Sequence, residues 1–300
     1  MSIIYPPWLQ SNDHLTVIAP SGRLTSLSIF TQSLEIWRSQ GYQVDIDPQC
    51  YHSHSYLAGT DEQRRQALKQ AWLNPQCRGI ICARGGYGST RLLENWSWES
   101  LDLSSPKWLI GFSDITALLW SLAKVGIASI HASVLTTLAS EPDWCQQRLF
   151  DLLQGKPLPP LEGKGWGGGK TTGTLLAGNL TVATHLLQTP FQPPLNDVIL
   201  ALEEVNELPY RVDRLLTHWR MLGLLQQVKG IALGSFSGCT PLENTSSWEI
   251  NQVLRDRLAD LSIPIVSDLP FGHGSANAAL IVGSRVELDS DRGLLTILYP

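Results

Sequence analysis

Cysteine is scarce in this chain. The five residues Cys50, Cys77, Cys82, Cys145 and Cys239 form an odd, scattered set with no C-x-x-C spacing, which excludes a disulfide framework and a zinc ribbon and leaves them as reduced bystanders. Charge is also sparse, at 16% Asp, Glu, Lys and Arg with a formal net charge of -5, and there is no basic run. That balance argues against nucleic acid or an anionic membrane as the main partner. No apolar stretch is long enough to span a bilayer, and the opening MSIIYPPWLQSNDH lacks both a basic n-region and an apolar h-region. A cytoplasmic location is the expectation, under which the sequons at Asn95, Asn179 and Asn244 carry no meaning.

What the chain does have is a large apolar fraction, 43% of 300 residues, enough for one large domain or two ordinary ones. Buried-strand runs alternate with helical spacing through the first half. LTVIA at Leu15 to Ala19, Tyr42 to Ile46, Gly79 to Ala83, Trp108 to Ile110 and Ile127 to His131 read as strands; Leu27 to Gln40 and the segment opened by the Thr60/Gln63 capping box read as helices. The pattern predicts an α/β fold with a Rossmann-like parallel sheet, with ligands at the carboxyl ends of its strands. Composition shifts at residues 155–172, rich in Gly and Pro, which read as a linker between domains 1–154 and 173–300. Beyond it, strands at Gly173 to Ala177, Val198 to Leu202 and Gly230 to Gly234 mix with helices, and short strands crowd the tail. The second domain is expected to be mixed α/β with a strand-rich, barrel-like end.

Four stretches invite chemistry. Ser113, in Gly111-Phe112-Ser113-Asp114, falls where a buried strand passes into a helix, so its hydroxyl would stand at the sheet's carboxyl edge with helix amides pointing back at it. This half meets the G-x-S-x-G nucleophile elbow; capping the helix is the alternative use. Arg84-Gly85-Gly86-Tyr87-Gly88 follows a strand and precedes a helix, suited to an anion or to a plain tight turn. It lacks G-x-G-x-x-G spacing and follows a later strand, which disfavours a nicotinamide cofactor. Glu203 and Glu204 end a buried strand, where a carboxylate is costly unless it orients something. His273 sits between two glycines in a loop after Pro264-Ile265-Val266. The order Ser, Glu, His is that of many hydrolases. Gly169-Lys170-Thr171 imitates a phosphate loop with the wrong spacing and no leading strand, and the His52/His54 pair lacks a third ligand, so neither a nucleotide nor a metal site is expected.

Taken together, VIAPSG at Val17 to Gly22, ARGGYG at Ala83 to Gly88, GFSD at Gly111 to Asp114, GNL at Gly178 to Leu180, LEEVNELPYRVDR at Leu202 to Arg214 and PFGHG at Pro270 to Gly274 resemble the LD-carboxypeptidases, a serine peptidase family that also contains microcin immunity peptidases. The resemblance implies a triad of Ser113, His273 and Glu203, with Glu204 the second choice for the acid. It also implies an oxyanion hole from the amides of Asp114 and Gly86, and removal of the terminal D-alanine from a cytoplasmic murein tetrapeptide in peptidoglycan recycling. A metal-independent, cofactor-free homodimer is part of the same expectation. Arg84, with Gly85 and Tyr87 beside it, is the candidate for binding substrate. An antibiotic-cleaving immunity peptidase, in which Trp166 stacks a base, and a silent muropeptide-binding protein are the competing expectations.

Overall fold

The structure, a computed structural model, describes residues 3–243 and 246–298; the sequon at Asn244 lies outside them. Two units divide the chain. The first holds Met1–Leu158, Pro190–Pro193 and Ala278–Gly283, and the second holds Pro159–Thr189, Pro194–Asn277 and Ser284–Pro300.

In the first unit β1 (His14–Ile18), β2 (Gln43–Ile46), β3 (Cys77–Cys82), β4 (Trp108–Gly111) and β5 (Ser129–His131) run parallel, and β12 (Leu280–Val282) joins antiparallel to β5. The order is β12-β5-β4-β3-β1-β2. Every residue of β4 is buried, as expected of a strand covered on both faces. The covers are α1 (Leu27–Ser39), α2 (Asp61–Leu73), α3 (Ser89–Leu93), α4 (Thr116–Lys124), α5 (Leu135–Leu138) and α6 (Asp143–Leu153). Helix α4 is buried on all sides except at Lys124, so packing holds it rather than amphipathic patterning. The chain leaves β1 toward β2 on one side and returns to β3 on the other. This reversal opens a crevice at the strands' carboxyl ends, flanked by the loops after β1 and β3.

The second unit contains β6 (Leu161–Glu162), β7 (Lys164–Gly165), β8 (Lys170–Asn179), β9 (Val198–Val205), β10 (Gly230–Ser237), β11 (Ile265–Ser267), β13 (Arg285–Asp289) and β14 (Leu294–Leu298). Their order, β6-β14-β13-β8-β9-β10-β11-β7, has a parallel centre from β8 to β11 and antiparallel flanks. Helices α7 (Leu180–Leu186), α8 (Pro209–Met221) and α9 (Ile250–Leu258) accompany it.

Three expectations are corrected. The sheet is open, since no ladder joins β6 to β7, so its strand-rich end is not a closed barrel. Residues 155–172 are not a free linker, because β6, β7 and the start of β8 lie within them and are hydrogen-bonded into the second sheet. Glycine there permits close packing: a Cβ on Gly165 would overlap the Ser290 carbonyl oxygen. Finally, Ala278–Gly283, near the C-terminal end of the chain, completes the first sheet instead of the second.

Candidate active site

In the first unit, three of the sequence motifs meet. Ser113 lies two residues after the end of β4 and takes φ +64°, the left-handed region that a non-glycine residue adopts only at a cost. A short 3-10 turn, Ser113–Ile115, then leads into α4, so the strand-to-helix elbow is present even though Ile115 stands where the usual motif has glycine. The Ser113 side chain is half-buried. The glycine loop lies directly against it: a Cβ built on Gly85 would be 3.0 Å from the Ser113 Oγ and 3.7 Å from the Asp114 backbone nitrogen. Gly86 has φ +106° and Gly88 φ +129°, conformations that give this loop its need for glycine.

Asp114 does more than supply a backbone amide. Its side chain is buried, and Oδ2 accepts from Ser21 Oγ at 2.6 Å and from the Ser89 amide at 2.8 Å, while Ser89 Oγ donates to the Asp114 carbonyl at 2.5 Å. One carboxylate thus ties the loop after β1 and the loop after β3 to the elbow. The Gly22 amide donates to the Gly85 carbonyl at 3.1 Å, joining those two loops directly. Arg84 is half-buried, with Nη1 donating to the Arg23 carbonyl at 2.5 Å and to Thr25 Oγ1 at 3.3 Å. Tyr87 is exposed, its ring 5.9 Å from that of Tyr56.

In the second unit, Glu203 and His273 come together. Glu203 is fully buried on β9, and its Oε2 lies 2.6 Å from His273 Nδ1 and accepts from the His273 amide at 3.2 Å. A carboxylate oxygen accepts, so Nδ1 is the donor in this pair. The loop that brings His273 there depends on local geometry. The β9–β10 register shifts between Leu233 and Phe236, and in that irregularity the Ser235 amide donates to the Phe271 carbonyl at 2.9 Å. Gly272, at φ +100°, has its amide held by Asn277 Oδ1 at 2.9 Å. Asn277 went unnoticed in the sequence, where its spacing five residues beyond Gly272 was the available signal.

Glu204, its neighbour, points elsewhere. Its Oε1 accepts from Asn179 Nδ2 at 2.8 Å and the Val205 amide at 2.9 Å, and its Oε2 accepts from the Thr181 amide at 2.8 Å and Thr181 Oγ1 at 2.7 Å. It anchors the start of α7 and does not meet His273, which separates the two acids that sequence left as alternatives. Trp166 is committed too: the Arg255 guanidinium lies 3.8 Å from its ring centroid, and its Nε1 donates to Ser267 Oγ at 2.9 Å.

Among the described residues no group of three or more His, Cys, Asp or Glu is placed to hold a metal, and no helix is long and apolar enough to cross a membrane. All five cysteines are buried, and burial, helped by Asp47, pushes the Cys50 thiol up to about 12.

Known proteins are similar to this chain over nearly its whole length. Residues 15–132 match the LD-carboxypeptidase N-terminal domain and residues 172–288 the LD-carboxypeptidase C-terminal domain. The murein tetrapeptide carboxypeptidase of Pseudomonas aeruginosa is 32% identical, covering 95% of this chain and 96% of that one. The crystal structure of muramoyltetrapeptide carboxypeptidase from Oxalobacter formigenes superposes with a TM-score of 0.84 at 30% identity, over 96% of this chain and 99% of that chain. A protein of Synechocystis sp., named only provisionally as a carboxypeptidase, is 56% identical over 99% of this chain and 98% of its own length. With both domains matched and relatives aligned from end to end, the chain belongs to the LD-carboxypeptidase family.

Proposed function

We propose that this protein is a serine-type LD-carboxypeptidase that releases the terminal D-alanine of murein tetrapeptides. In this reading Ser113 Oγ attacks the scissile carbonyl and His273 Nε2 takes its proton, later returning it to the leaving amine of D-alanine. Glu203 holds the imidazole in the required tautomer and stabilises its charged form. The amides of Asp114 and Gly86 receive the oxyanion. Water then hydrolyses the acyl-enzyme with His273 again as base. Arg84, beside Gly85 and Tyr87, is the cation offered to the substrate's free carboxylate. The observation that carries the reading is the 2.6 Å bond from His273 Nδ1 to a fully buried Glu203, because an isolated loop histidine has no need of a buried acid.

The reading extends to a cytoplasmic, cofactor-free enzyme acting as a homodimer on a small peptide, without nucleic-acid or membrane partners. The low charge supports the absence of nucleic-acid and membrane partners, and the names of the relatives support a small peptide substrate.

Purified protein incubated with murein tetrapeptide should release D-alanine, and Ser113→Ala should abolish the release. Undiminished release by that variant would refute the serine assignment. Parallel rates on diaminopimelate- and lysine-containing tetrapeptides, and on a peptidyl-nucleotide, identify the preferred substrate. A faster reaction on the last would replace the murein assignment with the immunity-type one.

A further inference from the structure

Arg64 is a charged side chain wholly withdrawn from water, and the chemistry above makes no use of it. It belongs to α2, and its side chain is 0% exposed. Its Nη1 donates to two backbone carbonyls, Pro20 at 2.5 Å and Gly88 at 2.7 Å, and its Nη2 donates to Asp61. The same Asp61 carboxylate is gripped from the other side by Arg91, whose Nη2 and Nε donate at 2.6 and 2.9 Å. The result is a chain from Arg91 through Asp61 and Arg64 to two carbonyl oxygens.

Burying a guanidinium is expensive, and an apolar side chain of similar volume would often serve stability as well. The place of its two acceptors suggests what it supplies. Pro20 belongs to the loop after β1 and Gly88 to the loop after β3, the same two loops that Asp114 ties to the elbow through Ser21 and Ser89. Each loop is therefore fixed at two points, one by a carboxylate and one by a guanidinium. Gly88 is shaped for this, since a Cβ there would come within 2.7 Å of Arg64 Nη1. Only the planar fork of arginine reaches two carbonyls and a carboxylate together; a lysine ammonium is a single point.

We propose that Arg64 is a positioning residue for the reaction, holding the Gly85–Gly88 loop so that its amide is already in place when the oxyanion forms, with Asp61 and Arg91 as its clamp. The inference rests on the serine-hydrolase reading above. Oxyanion donors are effective because they need not reorganise, and a displacement of about 1 Å can cost on the order of 100-fold in rate.

The test compares wild type with Arg64→Met, Arg64→Lys and Arg91→Gln, the last being a partly exposed residue whose loss leaves the Arg64 contacts in place. Three readouts are taken: kcat and KM for D-alanine release, the rate at which a fluorophosphonate labels Ser113, and amide exchange across residues 85–89. Arg64→Met should lower kcat and the labelling rate about 10- to 100-fold while KM stays within about twofold. Exchange at 85–89 should quicken, Arg64→Lys should recover part of the loss, and Arg91→Gln should show a smaller change in the same direction. Unchanged kcat, labelling and exchange in folded Arg64→Met overturns the proposal; if that variant does not fold, wild-type values in both Arg64→Lys and Arg91→Gln overturn it. A wild-type Ser113 that takes no label overturns the serine reading and this inference with it, whereas equal labelling of wild type and variants overturns this inference alone.

Discussion

Gly272 lies so close against Glu203 that a Cβ on it would stand 2.5 Å from the Glu203 Cβ and 2.8 Å from its Oε2. The missing side chain, together with φ +100°, is what lets the loop run over the acid and present His273 to it. Gly272→Ala should therefore push the loop away from β9 and break the bond between Glu203 and His273. Under the proposed triad, the expected result is a fall in kcat of about 100-fold or more. The measurement is turnover of tetrapeptide, with circular dichroism to establish that the variant is folded. Near-wild-type turnover would mean that the Glu203 contact is dispensable.

Glu203 and Glu204 are adjacent and both buried, yet their substitutions should fail in different ways. Glu203→Gln keeps the shape but favours the wrong imidazole tautomer, for which a loss of about 10,000-fold in kcat is the precedent in serine triads. Glu204→Gln sets an NH2 among donors that now share two carboxylate oxygens, so it should lower stability by about 2 kcal/mol while leaving turnover per folded molecule within about tenfold. Urea unfolding and kcat on both variants check the pair. Reversed phenotypes would exchange the roles of the two acids.

Much of this was legible in the sequence because it follows from burial. The central strands β1, β3 and β4 announce themselves by their apolar runs, and the Thr60/Gln63 capping box is found as read, with both reciprocal bonds made. The glycine-rich residues 155–172 misled because composition reports flexibility only when the backbone is unpaired. Here two-residue strands, too short to show alternation, pair at the edges of the sheet. Nor does periodicity reveal that Leu280–Val282 returns to the first sheet, since a three-residue buried strand fits either one. Arg64 was hidden by its neighbours: within DEQRRQALKQAWL it looks like one more solvated charge, and only the fold shows it facing inward. Trp166 looked available for stacking a base until its partner, Arg255, appeared from a helix about ninety residues away.

The contact between Gly85 and Ser113 separates reactivity from stability. Gly85 is not among the residues with positive φ, so its backbone accepts alanine, but the new methyl would sit 3.0 Å from Ser113 Oγ. Gly85→Ala should leave the melting temperature within a few degrees while slowing fluorophosphonate labelling of Ser113 by about tenfold or more. Gly86→Ala, at φ +106°, should in addition cost about 1–2 kcal/mol of stability, because a Cβ there meets its own backbone. Equal labelling rates for Gly85→Ala and wild type would show that the loop does not bear on the hydroxyl.

Asp61 makes acid stability testable. The Arg91 hydrogen bond, joined by Arg64, outweighs partial burial and holds its carboxyl down at about 2, below the ordinary 3.8. The folded state therefore binds this proton less readily than the unfolded chain. The stabilisation is complete above the unfolded value and is lost as pH falls through the folded one. A shift of this size corresponds to about 2 kcal/mol. Asp61→Asn should be less stable than wild type by roughly that amount at pH 7, and more if Arg64 is left without a counter-charge. The difference should begin to shrink near pH 4 and be mostly gone by pH 2, where wild-type Asp61 is itself about half neutral. The other depressed carboxylates, Asp102, Asp197 and Asp260, titrate alike in both proteins and cancel in the comparison. Urea unfolding of the two proteins across pH 2–7 measures it, and a difference independent of pH would mean that the loss on substitution comes from packing instead of from the charge that Arg91 and Arg64 share.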